Sequence, residues 1–192
     1  MNFRNFLLCT TIFTCFASQN LYAQNLLNQP ESVVYDATYN RYLVSNFGSG
    51  SIVQIDSAGN QSYFVRSQRC YAGLQIVDSV VYVSCREYGV KGFRLSDREN
   101  VLDIRIEGSQ FLNDITSDDA GNLYITDPRA HKIFKLNLEA EAVSVFVSGG
   151  VRNPNGILYD QPNNRLLLCS SRDNSPVQAI SLADSSVSTI IN

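Results

Sequence analysis

Among 192 residues there is one histidine, and only 17% of the chain is charged. His131 has no partner at metal-ligand spacing, and it lies in a polar turn that reads as solvated surface. No Ser-His-Asp set, no glycine-rich phosphate loop and no HExxH motif is present. No CxxC pair occurs, so neither a structural zinc site nor a thioredoxin-like site is indicated. The net charge of -3 leaves no basic footprint for nucleic acid and no attraction to an anionic membrane surface. After the first 23 residues no apolar run is long enough to span a bilayer, and no stretch reads as a sustained helix. The segment Leu-Glu-Ala-Glu-Ala-Val at 138–143 is too short and reads as a loop.

What remains is a β-rich globular composition with a repeat. Residues 112–136 read as three short strands joined by two tight turns. Asp118-Asp119-Ala120-Gly121-Asn122 makes the first turn, with Gly121 free to take a positive φ. Leu123-Tyr124-Ile125-Thr126 is a strand rich in β-branched and aromatic residues. Asp127-Pro128-Arg129-Ala130-His131 turns the chain again, residues 132–136 form the next strand, and residues 143–148 form a fourth.

The apolar residues that open each first strand are Val33, Leu74, Ile115 and Ile157, at intervals of 41, 41 and 42. Second and third strands fall in step behind them, and an Asp-x-x-Gly-Asn turn recurs at 56–60. Four-stranded units of this period are the signature of propeller blades, which bury both sheet faces by stacking around an axis. The predicted fold is all-β, a propeller of four-stranded antiparallel blades with four visible. The repeats run at about 31–68, 72–108, 113–149 and 155–192 within a domain of residues 24–192. A sandwich of hairpins is the competing architecture.

Residues 1–23 carry Arg4, an apolar stretch from Phe6 to Phe13 and a small residue at Ala23. They read as a secretory signal peptide. The expected mature protein is secreted or periplasmic, with no membrane insertion after cleavage. Three cysteines then remain. Cys70 and Cys85 fall near the same end of one blade, which leaves open either a disulfide or free thiols. Cys169 is expected to be buried in its strand.

Two residues before each aligned apolar position, the chain reaches the mouth of the channel. Those residues are Glu31, Ala72, Asn113 and Asn155. Three of them bear oxygen, which suits a hard divalent cation such as Ca²⁺ or Mg²⁺. Asp114 follows Asn113 and either turns inward or caps a turn. Asx-type turns are the alternative for all of these positions. A second ring is expected at the ends of the second strands: Ser45-Asn46, Ser84-Cys85, Thr126-Asp127 and Ser170. For Asp127 an Asx turn is the favoured reading. Arg66, Arg69 and Arg86 read as solvated loop charges.

The stretches Pro30-Glu31-Ser32, Leu112-Asn113-Asp114, 121–127 and Asn153-Pro154-Asn155-Gly156 resemble the NHL-repeat and SMP-30/gluconolactonase-like six-bladed propellers. The resemblance covers residues 30–192 and implies six blades in an intact parent, of which this chain would be a truncated member. It implies a divalent cation (Ca, Zn or Mg) with Glu31 and Asn155 as ligands, and Asn113 with Asp114 at the reacting centre. The substrate would be a lactone or a sugar-derived molecule, and the activity a metal-dependent, gluconolactonase-like hydrolysis. Ser32 stands where the family has Gly, no Arg precedes Asn113, and the family's later Asp would lie beyond Asn192. The alternative is a non-catalytic exported NHL-type propeller that binds a protein or glycan partner.

Overall fold

The computed structural model describes residues 25–66, 68–171 and 174–191. The signal-peptide reading of residues 1–23 therefore lies outside the described residues. Blade 1 contains β1 (Pro30–Asp36), β2 (Arg41–Asn46), β3 (Ser51–Asp56) and β4 (Gln61–Val65). Blade 2 contains β5 (Leu74–Val77), β6 (Val80–Cys85), β7 (Gly89–Arg94) and β8 (Asn100–Arg105). Blade 3 contains β9 (Ile115–Ser117), β10 (Asn122–Asp127), β11 (Lys132–Asn137) and β12 (Ala142–Val147). Blade 4 contains β13 (Pro154–Asp160), β14 (Arg165–Ser170), β15 (Val177–Ser181) and β16 (Val187–Ile191). Each sheet is an antiparallel meander in sequence order. The four together are blades of a β-propeller, and the first strand of each blade lies innermost, against the first strand of the next.

The turns that make these meanders are built from side chains. Asp118 Oδ1 accepts from the backbone N–H groups of Ala120 and Asn122, and Gly121 takes φ 72°. Asp56 does the same for Ala58 and Asn60. Burial raises the Asp118 carboxyl, yet the hydrogen bonds from Asn122 and Tyr124 outweigh it and hold the group below its usual range. Of the segment 138–143 read as a loop, residues 138–141 are a turn, while Ala142 and Val143 open β12. The only helical element among the described residues is a 3-10 turn at Gln161–Asn163, with Pro162 inside it.

The core sits between blades. One apolar cluster joins blades 1 and 2 through Leu43, Phe64, Leu74, Val81 and Phe93. A second joins blades 2 and 3 through Tyr82, Leu102, Ile115, Leu123 and Phe134. A third joins blades 3 and 4 through Tyr124, Ile133, Ile157, Leu166 and Leu168. Alternation along each strand explains this: successive side chains point to opposite faces, and each face meets a different neighbour.

Candidate functional site

The expected second ring of polar residues is buried in blades 1 to 3, while Ser170 in blade 4 is half-buried. Ser45, Ser84 and Thr126 are all fully covered. Ser84 Oγ donates to the carbonyl of Asn113, and Thr126 Oγ1 donates to the carbonyl of Asn155 at 2.7 Å. Ser45 Oγ accepts from the Ser32 N–H at 3.1 Å. These hydroxyls therefore fix the starts of the innermost strands, the segments that carry the candidate site.

In blades 1 to 3 the next residue of the second strand anchors the linker entering its own blade, by three different chemistries. Asn46 Oδ1 accepts from the Asn28 N–H at 2.9 Å. Cys85 is disulfide-bonded to Cys70, which resolves the choice the sequence left open. Asp127 Oδ2 accepts from the N–H groups of Gln110 and Phe111, and its Oδ1 from those of Arg129 and Ala130. Asp127 is thus an Asx turn and a linker anchor at once, with no oxygen left for chemistry. In blade 4 the backbone does this work, since the Ser171 N–H donates to the carbonyl of Asn153.

Glu31, Asn113, Asp114 and Asn155 line one cavity of about 280 Å³ at the inner strand starts, together with Ser32, Val33 and Gly73. Glu31, Asn113 and Asn155 share one repeat position, and they meet here although they lie far apart in sequence. Asn113 is buried, and its Nδ2 lies 3.4 Å from Glu31 Oε1 across 82 residues of chain. Ala72 is buried and does not line this cavity. Gly73 is required: a Cβ there would lie 2.5 Å from Asp114 Oδ1 and 2.7 Å from the Ile115 nitrogen.

Asp114 is held differently from Glu31. Its Oδ1 accepts from the Ile115 N–H and its Oδ2 from the Ile157 N–H, both at 2.9 Å. It clasps blade 3 to blade 4, as Ser32 Oγ clasps blade 1 to blade 2 by accepting from the Leu74 N–H at 3.1 Å. Burial raises the Asp114 carboxyl above its ordinary range, and the two amide bonds only partly oppose that. A carboxyl raised in the folded state favours folding most when protonated. That contribution is full below the unfolded value and is lost as pH rises through the folded one. Asp114→Ala leaves two amides without acceptors and is expected to cost about 2 kcal/mol in urea unfolding. Asp114→Asn should show less loss of stability than wild type between acid and neutral pH, because it removes that titration.

Arg86 is not a solvated loop charge. Its guanidinium carbon lies 3.8 Å from the centre of the Phe111 ring and 4.1 Å from that of Phe47, with Tyr71 at 5.3 Å. Arg129 stacks on Phe111 as well, at 4.3 Å. Arg86 Nε is buried and has no hydrogen-bond partner among the described residues. Burial lowers the guanidinium pKa, opposed by the nearby Tyr71 and Glu31. Neither Arg86 nor Arg129 forms an ion pair among the described residues. Sequence reasoning missed this stack because Phe47, Tyr71 and Phe111 come from three separate loops. The one available signal was an aromatic residue recurring in the loops and linkers at the strand-start end of the blades.

Two further expectations change. Cys169 is exposed, because it lies on the face of blade 4 turned away from blade 3. His131 is exposed as expected, but its Nδ1 accepts from the Asn153 N–H at 3.0 Å, tying a blade 3 loop to the linker into blade 4.

No protein-family model matches the sequence, and no curated protein matches it. Solved structures do. The chain superposes on a chain of a nidogen/laminin complex with a TM-score of 0.65 at 19% identity, covering 78% of this chain and 60% of that one. Against virginiamycin B lyase from Staphylococcus aureus the TM-score is 0.71 at 10% identity, covering 86% and 56%. Against hydrazine synthase from Kuenenia stuttgartiensis it is 0.71 at 13% identity, covering 90% and 52%. The chain spans about half to three-fifths of these neighbours' lengths. At such identities the likeness establishes the β-propeller fold alone. The neighbours include an enzyme and a member of a protein complex.

Proposed function

We propose that the mouth of the channel is a divalent-cation site that presents its cation to an oxygen-rich ligand, such as a lactone or a sugar-derived molecule. One observation carries this reading: Glu31, Asn113 and Asn155, spread over three blades, line a single small cavity. The donor set is an exposed carboxylate without an ion pair among the described residues and two amides, all hard oxygen donors that suit Ca²⁺ or Mg²⁺. Asn113 now turns its amide nitrogen to Glu31, and the same group turned over offers its oxygen. A bound cation would polarise a carbonyl of the ligand. Hydrolysis needs in addition a base beside the attacking water, and Asp114 has both oxygens committed to backbone amides. The reading therefore assigns this chain binding without turnover. A gluconolactone hydrolysis assay at saturating calcium should stay at background. Turnover abolished by Glu31→Ala would instead make the same site hydrolytic.

A second reading is supported by the Arg86 stack. Arginine held against aromatic rings is the composition of interface hot spots, and Phe47 is also partly exposed. On this reading the same face seats a protein or glycan partner, and Arg86→Ala would weaken capture while leaving cation binding intact.

The site is proposed to work outside the cytoplasm, in a secreted form or, in a host with two membranes, in the periplasm. The leader-like residues 1–23 and the Cys70–Cys85 disulfide both support this. Intact-mass measurement of the exported protein should show loss of residues 1–23. A mass that retains them would reject export by cleavage.

A further inference from the structure

Two guanidiniums stand against one ring with no anion beside them. Arg86 and Arg129 both stack on Phe111, their guanidinium carbons 3.8 and 4.3 Å from its centre. Phe47 lies 4.1 Å from Arg86 and packs edge-on against Tyr71, with ring centres 5.2 Å apart. Like charges repel, and the negative face of the ring holds both in place. Among the described residues no carboxylate comes within ion-pair distance of either arginine. The buried Arg86 Nε finds no acceptor among them either. Burial lowers the Arg86 pKa, Tyr71 and Glu31 oppose that, and Arg129 lowers it further. The two arginines and Glu31 therefore act on one another at the channel mouth.

Each member of this cluster is fixed by an anchor. Phe47 follows Asn46, while Tyr71 and Arg86 each follow one half of the Cys70–Cys85 disulfide. Asp127 accepts from the N–H groups of Phe111 and Arg129, both at 3.1 Å. The Arg86 carbonyl accepts from the Leu112 N–H at 2.7 Å. The segment 111–113 thus carries Phe111 to the arginine pair and Asn113 to the cavity beside Glu31 and Asn155. All the residues of the pair and its rings come from blades 1 to 3 and their linkers, whose two mutual interfaces both lie within the described residues.

A guanidinium with free donors is a planar fork, and it holds a carboxylate through two parallel hydrogen bonds. Fixing two such forks beforehand lowers the cost of binding. Beside them, Glu31, Asn113 and Asn155 offer hydrogen-bonding groups suited to hydroxyls. We propose that Arg86 and Arg129 form a carboxylate subsite at the rim of the channel mouth, which makes the ligand an acidic sugar, such as a hexuronate, rather than a neutral one. The sugar part of this assignment rests on the function proposed above for the mouth; the carboxylate part stands on the arginine pair alone.

The test is calorimetric titration of the purified full chain with D-galacturonate, D-galactose and inorganic phosphate, after divalent cations have been removed on a chelating resin. Without divalent cations the result is independent of the cation site, so failure of the subsite and failure of the cation reading are separate outcomes. Galacturonate should bind, and galactose about tenfold more weakly or not at all, the loss expected for one charge-assisted contact. Arg129 is exposed, so Arg129→Ala should fold, with wild-type circular dichroism, and should bind galacturonate about tenfold more weakly. Arg86→Lys keeps the charge but not the fork, and should also weaken binding. Glu31→Ala should keep galacturonate binding. No galacturonate binding by wild type, equal affinity for galactose, or wild-type affinity in Arg129→Ala overturns the proposal. Phosphate bound as tightly as galacturonate overturns the acidic-sugar assignment, and so does an aspartate-rich peptide bound more tightly, which would make this a protein-docking site.

Discussion

Asp127→Ala is expected to destabilise the protein by about 4 kcal/mol, the largest effect of any single polar substitution at the channel mouth. The carboxylate is fully buried and accepts from four backbone N–H groups, those of Gln110, Phe111, Arg129 and Ala130. Removing it strands donors in two separate segments, the linker into blade 3 and the loop after β10. Asp127→Asn keeps one oxygen and should cost roughly half as much. Urea unfolding of the three proteins, with unchanged dependence on denaturant, would check the figures. A change under 1 kcal/mol for Asp127→Ala would mean that water replaces the carboxylate and that the linker is not anchored by it.

Replacing Cys70 and Cys85 together by serine is expected to cost about 3 kcal/mol, the chain-entropy value for closing a loop of this length. The bridge joins residues 15 apart and does for blade 2 what Asp127 does for blade 3. It also holds Tyr71, the residue after Cys70, beside Arg86. The variant should therefore lose order in the linker before blade 2 as well as global stability. Amide hydrogen exchange would show this as lost protection confined first to residues 68–73. Cys169→Ser serves as the control and should leave stability unchanged. Equal stability of the double variant and wild type would contradict the anchoring role.

Much of this architecture is written in periodicities. Val33, Leu74, Ile115 and Ile157 locate the blades because an apolar residue must open each innermost strand. The Asp-x-x-Gly-Asn turns follow because one carboxylate and one positive φ suffice to build them. Glu31, Asn113 and Asn155 were legible as a group, since equal repeat positions occupy equal places around an axis. The state of Asp114 was not legible. Its acceptors are used by Ile115 and by Ile157, and the second bond exists only once blade 4 packs on blade 3. Arg86 was misread for the same reason. A loop arginine looks solvated until Phe47 and Phe111 arrive from other blades. Cys169 followed the strand pattern, but no blade among the described residues covers its face.

The most direct test of the proposed site is calorimetric titration of calcium into the purified full chain and into Glu31→Ala, with thermal melts of both as a check on folding. One binding event in wild type, absent from a folded Glu31→Ala, is the predicted result. Bound cation should also raise the wild-type melting temperature and leave that of the variant unmoved. No binding heat at millimolar calcium or magnesium, or equal binding by both proteins, would contradict the assignment of the channel mouth as a cation site.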